Sequence, residues 1–573
     1  MRSRLGTVDR ESRYVVVGLI LWTLFHAYWM LTENVNWDEF ALLARARESV
    51  LSGVLHTGGR PGLGTLALVP FVRECGDVIA AVRWARFAWT GFGLSILIAF
   101  WILLRKVLPG RDKSDVSDRL LGLSLLGLTP AFLRYSIQVR TDQPAVALGL
   151  FGSVALVTSR NRSILALLAG VLFGTGFLFS QKLAYVAALG GLLAIGDTLR
   201  YGRPDLRRDL GRVGLTLAGA IGTLVVYHMI MAATFGDVPP PVSRGYLGAF
   251  EFYRMSDEYQ YYRRMAPGLL PHTLLSLFVI AGFHRGPRPL LPSTASRVRL
   301  AAAVVALGIV VGGFHAAATP YFWMTLGLYP AIALVLALPI ARQAFRSERT
   351  QQASMATLWS LLLLIAGVTA TDLSRDSQRV QRESLDFVDR NMSSEDIGFH
   401  PEKALLCRDD PSPMPTYFEQ NIRRDFYVSS SRDKNRSEFI QEFTDRPISF
   451  ILESYRLSEF PEEIRVFWET HYVRYGETVF VAGQHMDLQG YESLQFPVIV
   501  SGDYRWTPDG HSGGTSIRVS STELAPGGVV QLAAGEHTIT AAERPVSGIL
   551  ALRMSDPPAG DSASFFKRFG NWE

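Results

Sequence analysis

Cysteine is nearly absent from this chain: Cys75 and Cys407 are its 2 cysteines in 573 residues. That excludes a disulfide-dense scaffold and leaves at most one bridge. Nothing in the sequence sets the distance between the two thiols, so free thiols are the simpler reading. Charge is also sparse, with 19% Asp, Glu, Lys and Arg and a net charge of +5. Nothing looks like a cleaved signal: the first apolar run, residues 14–31, leads into Thr-Glu-Asn and not into a small-residue cleavage site. It is therefore expected to stay as a helix. There is no internal repeat, no low-complexity tract and no Rossmann fingerprint. The stretch GGRPGLGT lacks the Gly-Lys-Ser/Thr ending of a phosphate loop, which sets nucleotide binding aside. His315 is a lone histidine without the partner spacing of a zinc ligand. His26 and His228 lie in or near apolar runs and read as packed residues, and His315 reads first as a helix-end hydrogen-bonding residue.

Apolar residues are plentiful: 48% of the chain is hydrophobic, with a mean hydropathy of +0.16. A soluble protein of this length is usually more polar and a pure membrane bundle less so, which implies a membrane part joined to a soluble part. Runs of spanning length lie near 14–31, 84–104, 119–134, 143–158, 163–180, 184–199, 213–233, 269–284, 300–317, 322–341 and 354–372. They predict about eleven transmembrane helices. The connections alternate in charge. One set, including RKVLPGRDKSDVSDR, SRNR, RYGRPDLRRDLGR and ARQAFRSER, is rich in Arg and Lys. The other, including NVNWDEF, RTDQP and HAAATPYFW, carries acids and aromatics with few basic clusters. The positive-inside rule makes the first set cytoplasmic, so the N-terminus is expected inside and everything after residue 372 outside.

The expected fold is thus an α-helical polytopic membrane bundle over 1–372, followed by an extracytoplasmic α/β part over 373–489 and a β-sandwich-like part with a loose tail over 490–573. RPISFILES and ETVFVAG read as strands, with EEIRVFWETHYV helical between them. From about 494 the texture changes to short alternating runs divided by Gly, Pro and Asp, the pattern of a small sandwich. Trp506, in DYRW, is the one hint of a sugar platform there; a lid or spacer role is the plainer expectation.

The chemistry-bearing residues gather on the acidic, aromatic connections. Asp38 and Glu39 follow the first helix, and Arg60 follows them. Asp142 stands in RTDQP, Lys182 in FSQK, and His315 and Tyr321 in FHAAATPYFW. Arg83 and Arg86 open the second spanning helix, and Arg134 and Arg140 flank the next outer loop. A lone acid at a membrane boundary is usually a wet loop acid, and Lys182 alone reads equally as an interfacial lysine. Several acids and cations at one bilayer face suit a reaction that needs a base and a stabilised anionic leaving group.

In this order the features resemble the GT-C fold glycosyltransferases that use polyprenyl-phosphate-linked sugars, among them the protein O-mannosyltransferases and the lipid A aminoarabinose transferases. The resemblance spans roughly 1–372 and rests on the Asp38-Glu39 pair, the Arg60-Pro61 step, RWARFAW, the Thr141-Asp142 loop, FSQKLAY and TPYFWMTLGLYP. It implies a multi-pass protein of the bacterial inner membrane whose lipid-linked donor reacts at the outer face with a lipid, an envelope glycan or a protein. It implies Asp38 as general base, Asp142 and Glu39 as further acids of the catalytic set, and Arg60, Lys182, Arg83 and Arg140 as phosphate-binding cations. His315 and Tyr321 would line the substrate. Glu39 has the alternative of positioning a helix end or a cation. No nucleic-acid partner is implied.

The sequence departs from the pattern at Gly59-Arg60-Pro61, where no acid precedes the basic residue. No metal ligand is therefore carried over, while a divalent metal is left open; Arg in place of Lys keeps the charge and changes its geometry. The long loop 235–268, with YRMSDEYQYYRRM, suits either a lipid headgroup or an interfacial aromatic belt. Two other readings remain: a non-enzymatic lipid-glycan transporter or assembly factor, and a ligase or polymerase of lipid-linked glycans. A transporter would be expected to show internal repeats and charges at mid-membrane, neither of which is seen.

Overall fold

The structure is a computed structural model that describes residues 2–56, 62–74, 76–109, 113–201, 206–236, 266–284, 292–315, 322–345, 347–375, 378–391, 396–401, 403–405, 422–446, 448–476, 478–489, 493–509, 515–542 and 545–554. Arg60, Cys75, Tyr321, Cys407 and most of the loop 235–268 lie outside the described residues.

The membrane part runs α1 (Arg2–Thr32), α2 (Trp37–Ser52), α3 (Leu63–Leu66), α4 (Val69–Val72), α5 (Val78–Val107), α6 (Lys113–Gly127), α7 (Pro130–Tyr135), α8 (Asp142–Thr158), α9 (Ser163–Phe179), α10 (Leu183–Tyr201), α11 (Leu206–Phe235), α12 (Leu270–His284), α13 (Pro292–His315), α14 (Trp323–Leu326), α15 (Leu328–Gln343) and α16 (Glu348–Arg375). Among the described residues 7 helices are long and apolar enough to cross a membrane, and α8, α9 and most of α10 are shorter apolar helices. Each apolar run read from the sequence falls on a helix. Two are broken: the run near 322–341 is α14 and then α15, divided at Gly327, and the run near 119–134 is α6 and then α7, because Pro130 brings no N–H and Thr129 caps the new start, accepting from the Phe132 N–H at 3.3 Å.

The outward faces of α1, α11 and α16 carry exposed Val16, Ile20, Leu24, Leu217, Ile221, Val225, Leu363 and Leu364. Apolar patches of that extent are unfavourable in water and suit a lipid surroundings, so this is a multi-pass membrane protein. Inside, α15 is buried almost throughout and packs against α6, α12 and α13. Helices α9 and α11 meet at backbone distance: a Cβ on Gly170 would lie 2.0 Å from the Thr216 carbonyl oxygen, and one on Gly219 2.4 Å from that of Leu167. Small residues allow such approach, and dispersion contacts then hold the pair.

The C-terminal part opens with α17 (Arg379–Asn391) and adds α18 (Arg432–Asp445), α19 (Glu462–His471) and two sheets. The strands are β1 (Ile397–Phe399), β2 (Ile448–Leu452), β3 (Tyr472–Arg474), β4 (Val479–Leu488), β5 (Ser493–Val498), β6 (Gly502–Pro508), β7 (Ile517–Val519), β8 (Thr522–Leu524), β9 (Val529–Leu532), β10 (Gly535–Ala541) and β11 (Val546–Leu552). The larger sheet has the order β1-β2-β4-β11-β6-β9, with β3 also on β4; β1 and β2 are parallel and the other pairs antiparallel. Strand β4 belongs to both halves of this sheet: Val479–Val481 pair with β2, and Gly483–Leu488 with β11. Where it changes partners, Gly483 leaves room that a Cβ would fill, 2.6 Å from the Ala551 Cα. The second sheet, β5-β10-β7-β8, closes over the far half with Phe496, Trp506, Ile539 and Leu550 between them. Mixed sheet with helices, then sandwich, is the order the sequence predicted.

The two parts share one core. Val35, Phe40 and Leu43 from the first connection, and Val82 and Trp89 of α5, pack with Phe387, Val388, Phe450, Leu452, Val479 and Val481 of the C-terminal part. The connection after α1 is therefore held from both sides.

Candidate functional site

Three stretches converge at the end of the bundle that carries the C-terminal part: the α1–α2 junction, the segment 134–143, and the turn between α9 and α10. Local sequence sets the first. Asn36 caps α2, its Oδ1 accepting from the Asp38 N–H at 2.9 Å, and Glu39 folds back to accept from the Asn36 N–H at 2.9 Å. This is a capping box, and successive helix residues point about 100° apart, so the two adjacent acids diverge.

Glu39 turns inward and is fully buried with Arg86. Its Oε1 accepts from Arg86 Nε and from the Val139 N–H, both at 2.8 Å; its Oε2 accepts from Arg86 Nη2 at 2.6 Å. Arg86 also donates to the carbonyls of Glu33 at 2.6 Å and Asn34 at 2.9 Å. One carboxylate and one guanidinium thus join α1, α2, α5 and the segment before α8. Burying both charges is tolerable because the contact is bidentate and the other donors and acceptors are used.

Asp38 turns the other way. Its Oδ2 accepts from Arg140 Nη1 at 2.8 Å, with side-chain exposures of 14% for Asp38 and 5% for Arg140, so the carboxylate keeps a path to solvent while its partner is fixed from behind. Arg140 is oriented by Gln138 Oε1 at 3.0 Å, by the Tyr135 ring at 5.1 Å, and by Trp89, whose Nε1 donates to the Arg140 carbonyl at 2.8 Å. Two residues on, Asp142 opens α8; it accepts from Lys182 Nζ at 2.7 Å and from Ser180 Oγ at 2.6 Å. Lys182 lies 5.6 Å from the centre of the buried Phe322 ring, which meets Tyr185 edge-on. Asp38 and Asp142 both stand in first turns of helices, where the backbone dipoles stabilise negative charge.

Asp38, Glu39, Arg140, Asp142 and Lys182 are thus brought together as one connected set. Arg83 is directed elsewhere: its Nε donates to Gln378 Oε1 at 3.0 Å and its Nη2 to the Leu31 carbonyl at 3.2 Å. Arg134 pairs with Asp372 and stands 3.6 Å from Glu33. His315 is the last residue of α13. Arg60 and Tyr321 are outside the described residues, although Phe322, next in sequence, reaches Lys182. Trp506 is no sugar platform: it is 0% exposed and its Nε1 donates to the Thr515 carbonyl at 3.2 Å, so neither ring face is open to a ligand. Sequence reading missed the Glu39–Arg86 pair as a unit and missed Ser180, which stands two positions before Lys182 in the same FSQK stretch.

Among the described residues no three His, Cys, Asp or Glu side chains are grouped as metal ligands. Asp38 and Asp142 already answer to Arg140 and Lys182, a donor set that does not suit a divalent cation as it stands. The arrangement does suit a different chemistry. A carboxylate with solvent access, Asp38, lies beside an arginine, and a second carboxylate, Asp142, lies beside a lysine and a hydroxyl, all at the border of a lipid-facing bundle.

The class this defines is the GT-C membrane fold: a helical bundle with an acid-bearing first connection and a C-terminal domain of mixed and antiparallel sheets. Among solved structures, ArnT from Cupriavidus metallidurans bound to undecaprenyl phosphate matches with a TM-score of 0.53 at 12% identity, covering 77% of this chain and 94% of that one. The archaeal oligosaccharyltransferase AglB from Archaeoglobus fulgidus, in complex with an inhibitory peptide and a dolichol-phosphate, matches with a TM-score of 0.46 at 9% identity, covering 95% of this chain and 98% of that one. No family model and no curated protein sequence matches the chain.

Proposed function

We propose that the chain is an integral-membrane glycosyltransferase that moves a sugar from a polyprenyl-phosphate donor to a lipid, envelope-glycan or protein acceptor at the outer face of a bacterial inner membrane. The observation that carries this is the pairing of a solvent-reachable Asp38 with Arg140, joined through Thr141 to the Asp142–Lys182–Ser180 cluster. The likeness to a fold that holds undecaprenyl phosphate in ArnT supports the donor class. The alternation of basic and acidic connections supports a cytoplasmic N-terminus and an external site, with 373–489 and 490–573 as extracytoplasmic parts.

In this mechanism Asp38 takes the proton of the acceptor hydroxyl. The acceptor oxygen forms a bond to the anomeric carbon from the face opposite the phosphate, and the bond from that carbon to the phosphate oxygen breaks with inversion. The electron pair leaves on the lipid phosphate, which goes from one negative charge to about two. Lys182 and Arg60 meet that charge; preorganised donors of this kind contribute most where charge develops in the transition state. Arg140 keeps Asp38 aimed. Glu39 is a positioning residue, since all its hydrogen bonds go to structure-bearing groups. His315 and Tyr321 are assigned to the substrate-lining wall, and Arg83, turned to Gln378 and the Leu31 carbonyl, is given no part in holding the phosphate.

The test is donor turnover by the full chain in lipid nanodiscs, with a panel of radiolabelled polyprenyl-phosphate sugars and an envelope fraction as acceptor. Wild type is expected to release lipid phosphate from one donor, and Asp38→Asn to release none while folding normally. Full activity in Asp38→Asn removes Asp38 as base. Tight donor binding without release in wild type replaces the enzyme reading with a transporter or assembly role.

A further inference from the structure

The stretch bearing Asp38 is gripped by the C-terminal part at several points. Arg456, in the turn Tyr455–Glu459 after β2, lays its guanidinium over the Trp37 ring, 4.5 Å from the centre. Trp37 is the first residue of α2 and adjoins Asp38. Arg456 is 3% exposed, an unusual place for an arginine, and it also lies 5.3 Å from the Tyr455 ring. On α17, Gln381 accepts from the Val35 N–H and donates to the Val35 carbonyl, both at 2.8 Å. Gln378 donates its backbone N–H to Asn34 Oδ1 at 3.1 Å and its side-chain amide to the Glu33 carbonyl at 2.7 Å. Lys403 pairs with Glu48 toward the other end of α2.

Backbone conformation marks the same contacts. Among the described residues 3 non-glycine positions have left-handed φ: Gln378 at 52°, Lys403 at 57° and Ser520 at 55°. Side chains with a Cβ disfavour this region, so it persists where surrounding contacts over-determine it. Gln378 and Lys403 are both grips on the first connection. A spacer domain tethered only through α16 would need neither.

We propose that the C-terminal part is a positioning element of the site, and that Arg456, acting through Trp37, is the positioning residue that fixes the first turn of α2 and the direction of Asp38. The proposal rests on the reading of Asp38 as base. A flat guanidinium over a flat indole, both out of water, is a contact that resists rotation of the ring; a lysine offers charge without the plate. Small displacements of a catalytic group matter, since a shift of about 1 Å costs on the order of 10²-fold in rate.

The test uses the full chain in nanodiscs with Arg456→Met, Arg456→Lys and, as a milder variant, Trp37→Phe. Hydrogen exchange is read for peptides over 34–44 and, as a control, over β2. Turnover is resolved into kcat and donor KM across pH. Arg456→Met is expected to speed exchange over 34–44 roughly tenfold with β2 unchanged. It should lower kcat about 10²-fold with donor KM held, and displace the acid limb of the kcat profile. Arg456→Lys should recover part of each effect. Unchanged exchange over 34–44 overturns the proposal, as does loosening of β2 to the same degree in both Arg456→Met and Trp37→Phe, which marks a general folding role. If wild type turns over no donor, the glycosyltransfer reading fails, while exchange over 34–44 still decides whether Arg456 fixes α2.

Discussion

Two neighbouring acids should fail in opposite ways. Glu39→Gln keeps side-chain volume and removes charge. Four donors aim at Glu39: two N–H groups of Arg86, the Val139 N–H and the Asn36 N–H. A glutamine oxygen takes the pair on one side, and its NH2 then confronts the donors on the other. Arg86, 0% exposed, loses the carboxylate that neutralises it. Removing one member of a buried pair costs about 3–5 kcal/mol, a large share of the roughly 5–15 kcal/mol that holds a domain folded. Asp38→Asn is different. Its oxygen still accepts from Arg140 and the side chain reaches solvent, so the loss is expected to be well below that at the fully buried Glu39. The assay is thermal unfolding of the full chain in nanodiscs, followed by tryptophan fluorescence, beside donor turnover. Glu39→Gln should melt well below wild type or fail to accumulate; Asp38→Asn should melt near wild type and turn over no donor. Glu39→Leu combined with Arg86→Met should recover much of the lost stability, because the stranded charge is gone. A Glu39→Gln protein that melts with wild type, or an Asp38→Asn protein that melts as low as Glu39→Gln, refutes the assignment of one acid to structure and the other to chemistry.

Two further predictions concern the C-terminal part. Burial, and then the charge of Arg456, push His400 down to about 3, and its Nδ1 accepts from the Ala404 N–H at 3.2 Å, a contact only the neutral ring can make. The unfolded chain titrates near 6.5 and binds the extra proton between the two values, so this contribution is full above about pH 6.5 and falls as pH drops toward 3, with about 2 kcal/mol gone by pH 5. Melting curves from pH 8 to 5 should show the fall and His400→Gln should flatten it; a wild-type profile flat over that range refutes the assignment. Trp506→Ala should destabilise the sandwich by about 3–5 kcal/mol, read as faster proteolysis within 493–552, with glycan binding by the full chain unchanged; loss of glycan binding in a variant still folded would restore the platform role.

The helices were legible because a membrane forces the sequence to declare them: a span needs a long apolar run, and each run near 14–31, 213–233 or 354–372 became a helix. The strands of the sandwich were legible for the same kind of reason, since alternation with Gly and Pro breaks survives in a half-buried sheet. The break at Thr129-Pro130 was written in the sequence as a cap followed by proline, but hydropathy alone runs across it. The site was legible as a set of charged residues on one group of connections, and illegible as pairs. Sequence order does not say that Glu39 would take Arg86 and leave Asp38 to Arg140, because that choice depends on the capping box turning one acid inward. It says still less about Trp37 and Arg456, which are 419 positions apart and meet only because β2 and α2 share a core. Trp506 could only be a hint, because an aromatic in a β-rich region reads the same whether its ring faces solvent or the facing sheet.

The pairing of the site's charges has a consequence for donor binding. Asp38 with Arg140, and Asp142 with Lys182, are each neutral overall, so an incoming phosphodiester does not meet a waiting excess of positive charge from these four residues. On the proposed function, Lys182 turns its charge to the phosphate by exchanging its 2.7 Å contact with Asp142, the alternative being an ammonium that donates to both at once. Asp142 then retains the Ser180 hydroxyl, and the oxygen released by Lys182 can accept from a sugar hydroxyl. On this account Asp142 opposes donor binding through Lys182 and aids the later step through the sugar. Asp142→Asn removes the competing charge. A hydrogen bond to a charged group contributes about 1.5–3 kcal/mol, so the variant should bind an unreactive polyprenyl-phosphate about tenfold more tightly or better, while turning over the sugar-bearing donor more slowly. Binding of the lipid phosphate to nanodisc-held protein, measured beside kcat, separates the two effects. Weaker binding in Asp142→Asn would mean that Asp142 holds Lys182 in place for the phosphate and does not compete with it, and the exchange of partners would have to be abandoned.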